Sequence, residues 1–213
     1  IRQALILSVL SFTGFLYTGM DLVMLPFLTN VPAEVGIYSF AHRINDIIWL
    51  MRGMLATALY PYMVRVLNEN ELEEFNFKKW WYASFVVLFL FIFCYEYIEI
   101  LLVYIIESTA GKSYTESVKI LMILILSTLI IFPSTPYLCL NIALGLENYQ
   151  LILQIFAGIL NFSLNILFFN YFGLIGIAYS TFVCLIVLSF GALLISRLNN
   201  FYIISKSGDS SLK

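Results

Sequence analysis

Six long, mostly apolar stretches constrain this chain more than any other feature of its sequence. They are residues 4–29, 37–66, 81–105, 119–143, 149–170 and 174–196. A helix needs about 20 mostly apolar residues to cross roughly 30 Å of hydrocarbon, and each stretch meets that length. Phe172-Gly173-Leu174 separates the fifth from the sixth, and Gly145-Leu146-Glu147-Asn148 separates the fourth from the fifth. Connections this short make those neighbours antiparallel hairpins and leave no room for a soluble domain. The pattern predicts an all-α, polytopic transmembrane bundle of six spans over residues 1–196, with a tail over 197–213. A porin-like barrel would need strands of alternating polarity. Residues 83–93 are apolar on every side, so helices are preferred.

Composition closes off the soluble alternative. The chain is 62% hydrophobic and 11% charged, whereas a soluble domain carries about 25% charged residues. The net charge of -2 is dispersed, with no basic or acidic tail, which sets nucleic-acid binding aside. Cys94, Cys139 and Cys184 are widely spaced inside apolar runs and read as small buried hydrophobes. The chain opens Ile1-Arg2-Gln3 and enters an apolar run at once, without the pattern of a signal peptide. The expectation is a cut N-terminus and a longer protein in the cell.

The longest polar insert, residues 68–79, contains Glu69, Glu71, Glu73, Glu74, Lys78 and Lys79 and reads as a solvated or interfacial linker. Six crossings put both ends of the chain on one side. Cytoplasmic ends would gather Arg2, Arg65, Lys78, Lys79, Arg197, Lys206 and Lys213 inside, against Lys112 and Lys119 outside. The positive-inside rule therefore predicts cytoplasmic ends.

Charges within the spans are the candidates for function, because an ionised group at the bilayer centre costs about 2.5–3.5 kcal/mol on insertion scales. Asp21 lies in the first span, and His42, Arg43, Asp46 and Arg52 lie in the second. At 1.5 Å per residue, Asp21 is about 12 Å and Arg43 about 10 Å from the outer ends of their helices, so the two can meet at equal depth. Arg43 and Asp46 are i,i+3 neighbours and His42 and Asp46 are i,i+4, which predicts an ion network between the first two spans. Such a network either pins the hairpin or forms a substrate or ion site. Arg52, nine residues beyond Arg43, points to the opposite side of a straight helix. It either lines an aqueous cavity that attracts phosphate-like anions, or it snorkels or pairs elsewhere. Pro61 is a candidate bend in the same helix.

Glu96 and Glu99 lie near the outer end of the third span among Tyr95, Tyr97 and Tyr104, and read as a solvated face at an aromatic belt, with cation or proton binding as the alternative. Pro133-Ser134-Thr135-Pro136 interrupts the fourth span, where paired prolines free backbone carbonyls and permit bending. Asn161 and Asn165, i,i+4 near Gly158, read as interhelical glue. Gly111-Lys112-Ser113 lacks the earlier glycine and the preceding strand of a phosphate-binding loop. A single histidine and no Cys-x-x-Cys give no metal site, and no Ser/His/Asp arrangement supports a hydrolase, so no cofactor is expected.

Several stretches, in order, resemble the polysaccharide transporter branch of the multidrug/oligosaccharidyl-lipid/polysaccharide exporter superfamily, which contains the O-antigen flippases. Asp21-Leu22-Val23-Met24-Leu25 and then Glu34-Val35-Gly36-Ile37-Tyr38-Ser39-Phe40-Ala41-His42-Arg43-Ile44 resemble the family's acidic helix end, short outer loop and Gly-x-Tyr-x-x-Ala opening, with Pro61 at the far end of that helix. Gly111-Lys112-Ser113-Tyr114 resembles its Gly-x-x-Tyr loop. Leu160-Asn161 through Asn165, with Phe172-Gly173-Leu174-Ile175-Gly176-Ile177-Ala178, resembles its Asn-rich helix and Phe-Gly-x-x-Gly-x-Ala turn. The resemblance covers residues 21–196 and implies the second, C-terminal lobe of a two-lobed transporter in the bacterial inner membrane. It implies an undecaprenyl-diphosphate-linked oligosaccharide as substrate, the missing N-terminal lobe as partner, and a polysaccharide polymerase and chain-length proteins as associates. Basic residues of the family's cavity point to Arg43 and Arg52 here. A cation-coupled multidrug exporter of the same superfamily is the alternative, with Asp21 or Asp46 as coupling carboxylate. A non-transporting scaffold and a membrane-embedded sugar-transfer enzyme are further classes. No loop carries the carboxylate and basic cluster that the enzyme would need.

Overall fold

A computed structural model describes the backbone of residues 2–68 and 77–210 and the side chains of residues 8–10, 12–68 and 77–198. Among these residues the chain is all-helical. Its helices are α1 (Arg2–Thr18), α2 (Met20–Leu28), α3 (Pro32–Asn68), α4 (Phe77–Phe93), α5 (Tyr95–Thr109), α6 (Ser117–Ile131), α7 (Thr135–Ala143), α8 (Glu147–Phe172) and α9 (Leu174–Ser210). Five segments are long and apolar enough to cross a membrane: Ser8–Leu28, Pro32–Asn68, Ser117–Ala143, Glu147–Phe172 and Leu174–Leu198.

The expected third span is not one straight helix. It breaks at Cys94, and α4 and α5 meet at 67°. Neither proline nor glycine marks that point; Cys94 leaves helical geometry at φ −92°, ψ 8° while its N–H still bonds Leu90 O at 2.9 Å. Other boundaries shift in identifiable ways. Pro32 supplies the preset first turn of α3, so that helix starts before residue 37. Thr29 accepts the Val31 N–H at 3.1 Å and donates to Glu34, which closes the turn between α2 and α3. Lys78 and Lys79 belong to α4 rather than to a linker, and the rest of the linker, residues 69–76, lies outside the described residues. Helix α9 runs on to Ser210, past the expected start of the tail at 197, and residues 211–213 lie outside the described residues.

The fourth span keeps its course through both prolines. A 3-10 turn, Phe132–Ser134, joins α6 to α7, and the two helices still form one apolar segment. Helix α3 likewise continues through Pro61 to Asn68.

Helices α6 and α9 form the centre. Helix α9 packs on α6 and α8, α8 on α1, and α3 on both α6 and α7. Leu25, Tyr38, Ala41, Leu121, Leu124, Ile177 and Ala178 form the core where α2, α3, α6 and α9 meet. The turn from α8 to α9 depends on two glycines. Gly173 has φ +62°, a left-handed backbone that favours glycine. A Cβ on Gly176 would collide with the carbonyl of Phe168, so the two helices touch backbone to backbone there.

The clefts identify the ends of the bundle. One brings Glu34, Thr115, Lys119, Phe172 and Leu174 together; another brings Lys78, Trp81, Tyr137 and Arg197 together. The bent pair α4–α5 therefore starts at the second end and delivers the chain to the first.

Candidate functional site

Asp21 is fully buried in the first turn of α2. Its Oδ2 accepts hydrogen bonds from the Tyr38 hydroxyl at 2.7 Å and the Thr181 hydroxyl at 2.6 Å, and its Oδ1 accepts from Asn165 Nδ2 at 3.2 Å. The second Asn165 amide proton goes to Asn161 Oδ1 at 3.0 Å, and Ser180 donates to Asn165 Oδ1. Four helices, α2, α3, α8 and α9, thus meet on one carboxylate. Low dielectric strengthens each bond and makes each broken one costly.

This arrangement corrects the expected Asp21–Arg43 pairing. Arg43 is exposed on the far side of α3 and makes no ion pair or hydrogen bond among the described residues. Equal depth did bring the two helices together, but the helix rotation turned Tyr38 and not Arg43 towards Asp21. The i,i+4 neighbours do come together: His42 Nδ1 lies 3.3 Å from Asp46 Oδ1, without a hydrogen bond between them. Its Nε2 sits 2.7 Å from the carbonyl of Thr18, the last residue of α1, so Nε2 carries the donated proton. Asp46 is more than half exposed at 55%. A narrow cleft of about 20 Å³, room for one water, is lined by Asp46, His42, Thr18, Asn45, Thr128 and Thr181. Its lining thus includes both the exposed Asp46 and Thr181, the residue whose hydroxyl bonds Asp21.

Arg52 faces the interior, opposite Arg43, as nine residues of helix require. Its guanidinium lies 4.8 Å above the Trp49 ring, within electrostatic reach of Tyr17 and Cys139. Its Nε is buried without a hydrogen-bond partner, and no carboxylate pairs with it among the described residues. Cys139 donates to the Ala56 carbonyl at 3.5 Å and holds α7 against this part of α3.

The remaining candidates separate. Glu96 and Glu99 fall in the first turns of α5, directly after the bend. Pro133 and Pro136 are buried where α6 passes into α7, and Pro61 is exposed on α3. None of these touches the Asp21 node. Sequence reasoning missed Tyr38, Thr181 and Ser180 as members of that node, and missed two further interhelical bonds, Thr13 to Gln154 at 2.6 Å and Thr128 to Asn45 at 3.1 Å. Single hydroxyls on apolar helices leave no pattern that selects them.

Helix α4 is open, with only Phe91 buried among its residues, and so is the outward face of α3. Only 6% of its apolar window is buried, against 61% for Ser117–Ala143. Arg43 and Asp46 stand on this face, followed by exposed Ile47, Leu50, Met51 and Met54. Comparison of the chain with protein-family models, with curated proteins and with solved structures finds no match.

Proposed function

We propose that this chain is a six-span lobe of a two-lobed flippase that carries an undecaprenyl-diphosphate-linked oligosaccharide from the cytoplasmic to the outer leaflet of a bacterial inner membrane, for O-antigen or capsule synthesis. The outward face of α3 carries this reading. Arg43 and Asp46 are exposed on a helix whose apolar window is barely covered, beside exposed Ile47, Leu50, Met51 and Met54. Hydrocarbon is a poor neighbour for such charges. Their face instead fronts a wet cavity, closed by the second lobe that the family resemblance implies. The resemblance also makes a polysaccharide polymerase and chain-length proteins the associates.

Arg52 fits the same scheme from the inside. It is a partly buried cation that pairs with no carboxylate among the described residues, within electrostatic reach of Tyr17 and Cys139. Parting of α1 and α7 from α3 during alternating access would open it to a diphosphate. The deciding measurement is movement of lipid-linked sugar across vesicles that contain the full-length protein. Arg43→Ala and Arg52→Ala should each slow it at unchanged abundance; no movement by a normally inserted wild type would overturn the proposal.

The cleft from Asp46 past His42 to Thr181 favours a second reading, cation-coupled drug export with Asp21 as the coupling carboxylate. Drug efflux that follows an imposed ion gradient and fails in Asp21→Asn, with no movement of lipid-linked sugar, would select it.

A further inference from the structure

A groove of about 510 Å³ opens between α4, α7 and α9 at the end of the bundle away from Gly173. Its floor is aromatic and fixed. Trp81 Nε1 donates to the Tyr137 hydroxyl at 3.1 Å, the Phe77 ring lies 4.8 Å from that of Tyr137, and Phe85 lies 5.3 Å from Trp81. Indole only donates, so Tyr137 oxygen is the acceptor and its own proton remains to serve a ligand. Two cations from different helices, Lys78 and Arg197, stand at the rim, and among the described residues no carboxylate lines the groove. Neither cation has an ion pair among the described residues.

We infer that this groove holds the phosphodiester headgroup of an anionic phospholipid between Lys78 and Arg197, with an acyl chain laid along α4. Two features choose a lipid over a free anion. Lys78 is the second residue of α4 and Arg197 lies at the end of the apolar segment of α9, so both sit where a span meets the headgroups. Below Lys78, the exposed side chains of Tyr82, Phe85 and Phe89 recur at helical spacing on one face of α4, an apolar strip continuous with the charged rim. Inorganic phosphate would use the rim and leave the strip bare. The inference rests on the membrane placement proposed above, but not on the transported substrate.

Trp81 is a built-in reporter. In the full chain carrying Trp49→Phe and Trp80→Phe, brominated phosphatidylglycerol in mixed vesicles should quench Trp81 with about fivefold preference over brominated phosphatidylcholine, from two partly solvated cations. Lys78→Gln with Arg197→Gln should bring that ratio to about one. Millimolar inorganic phosphate should leave the quenching intact. Equal quenching by the two lipids in the reporter chain would overturn the site, and relief by phosphate would overturn the lipid assignment. Quenching by neither lipid would overturn the membrane placement as well. Mass spectrometry of the unsubstituted chain released from detergent provides an independent measure. It should retain phosphatidylglycerol over phosphatidylcholine, and the double-Gln chain should not; equal retention in both chains counts against the site.

Discussion

The Tyr38 hydroxyl donates to Oδ2 of Asp21 at 2.7 Å, and the same oxygen receives Thr181 at 2.6 Å. Helices α3 and α9 are thereby tied to α2 through one atom, while Asn165 on α8 takes the other carboxylate oxygen. The interior of the bundle is consequently a fixed polar lock, and the exposed charges of α3 lie outside it. If the chain transports, movement belongs to the uncovered face, and the locked helices travel as one body.

The lock predicts graded losses of stability. Tyr38→Phe removes one of three donors to Asp21 and should cost about 1 kcal/mol, within the range for interhelical bonds in membranes. Asp21→Ala orphans the donors from Tyr38, Thr181 and Asn165 together and should cost about 2–4 kcal/mol. Asp21→Asn keeps an acceptor and should fall between them. Thermal melting of detergent-solubilised protein, followed by size-exclusion chromatography, ranks the three; an Asp21→Ala chain as stable as wild type would refute the lock.

Two glycines, one at the α8–α9 contact and one on α3, carry predictions of opposite sign. Gly176→Ala places a methyl on the Phe168 carbonyl, backbone that cannot rotate away, and should cost about 1–3 kcal/mol as an overpacked contact. Gly53→Ala on the open face of α3 meets nothing within 4 Å. It should be neutral or stabilise by up to about 1 kcal/mol through helix propensity. The same melting assay separates them.

These sites also mark what was legible in the sequence. Hydropathy located the apolar segments, because lipid demands a run of fixed length. Helix arithmetic placed Arg52 opposite Arg43 and paired His42 with Asp46, since both depend on one helix alone. The partners of Asp21 were not legible. Axial rise sets a residue's depth, but the rotation of one helix against another decides whether Tyr38 or Arg43 faces it. Thr181 is 160 residues away and Asn165 144 residues away, distances across which sequence carries no pairing signal. The bend at Cys94 was hidden for another reason: it occurs without the residues that ordinarily break a helix.

Exposure of α3 can be read chemically. With Cys94 replaced by Ser, the remaining native cysteines, Cys139 and Cys184, are buried. In membranes, Arg43→Cys and Asp46→Cys should react with a membrane-impermeant maleimide, because a wet cavity reaches them. Ile159→Cys, equally exposed but on the apolar outside of α8, should stay unlabelled in hydrocarbon. Protection of positions 43 and 46 to the level of 159 would remove the cavity.

The bent pair decides the number of crossings. At 1.5 Å per residue, α4 is about 25 Å long, and α5, inclined at 67° to it, adds about 9 Å along the same axis, which together match the roughly 30 Å of hydrocarbon. An upright α4 and a nearly flat α5 would cross once and leave Glu96 and Glu99 at the interface rather than in the apolar centre. Phe91 from α4 and Ile106 from α5 both pack on Val118 and Met122 of α6, which holds the two halves in this bent form. A re-entrant loop would instead return α5 to the side where α4 began. Cysteines at Asn68 and Ser113, either side of the pair, distinguish the two arrangements in intact cells. Ser113→Cys should react with an impermeant maleimide at once, and Asn68→Cys only after permeabilisation, since the basic residues near it favour the cytoplasm. Labelling of both from one side would reduce the crossings to five and place the chain's two ends on opposite faces.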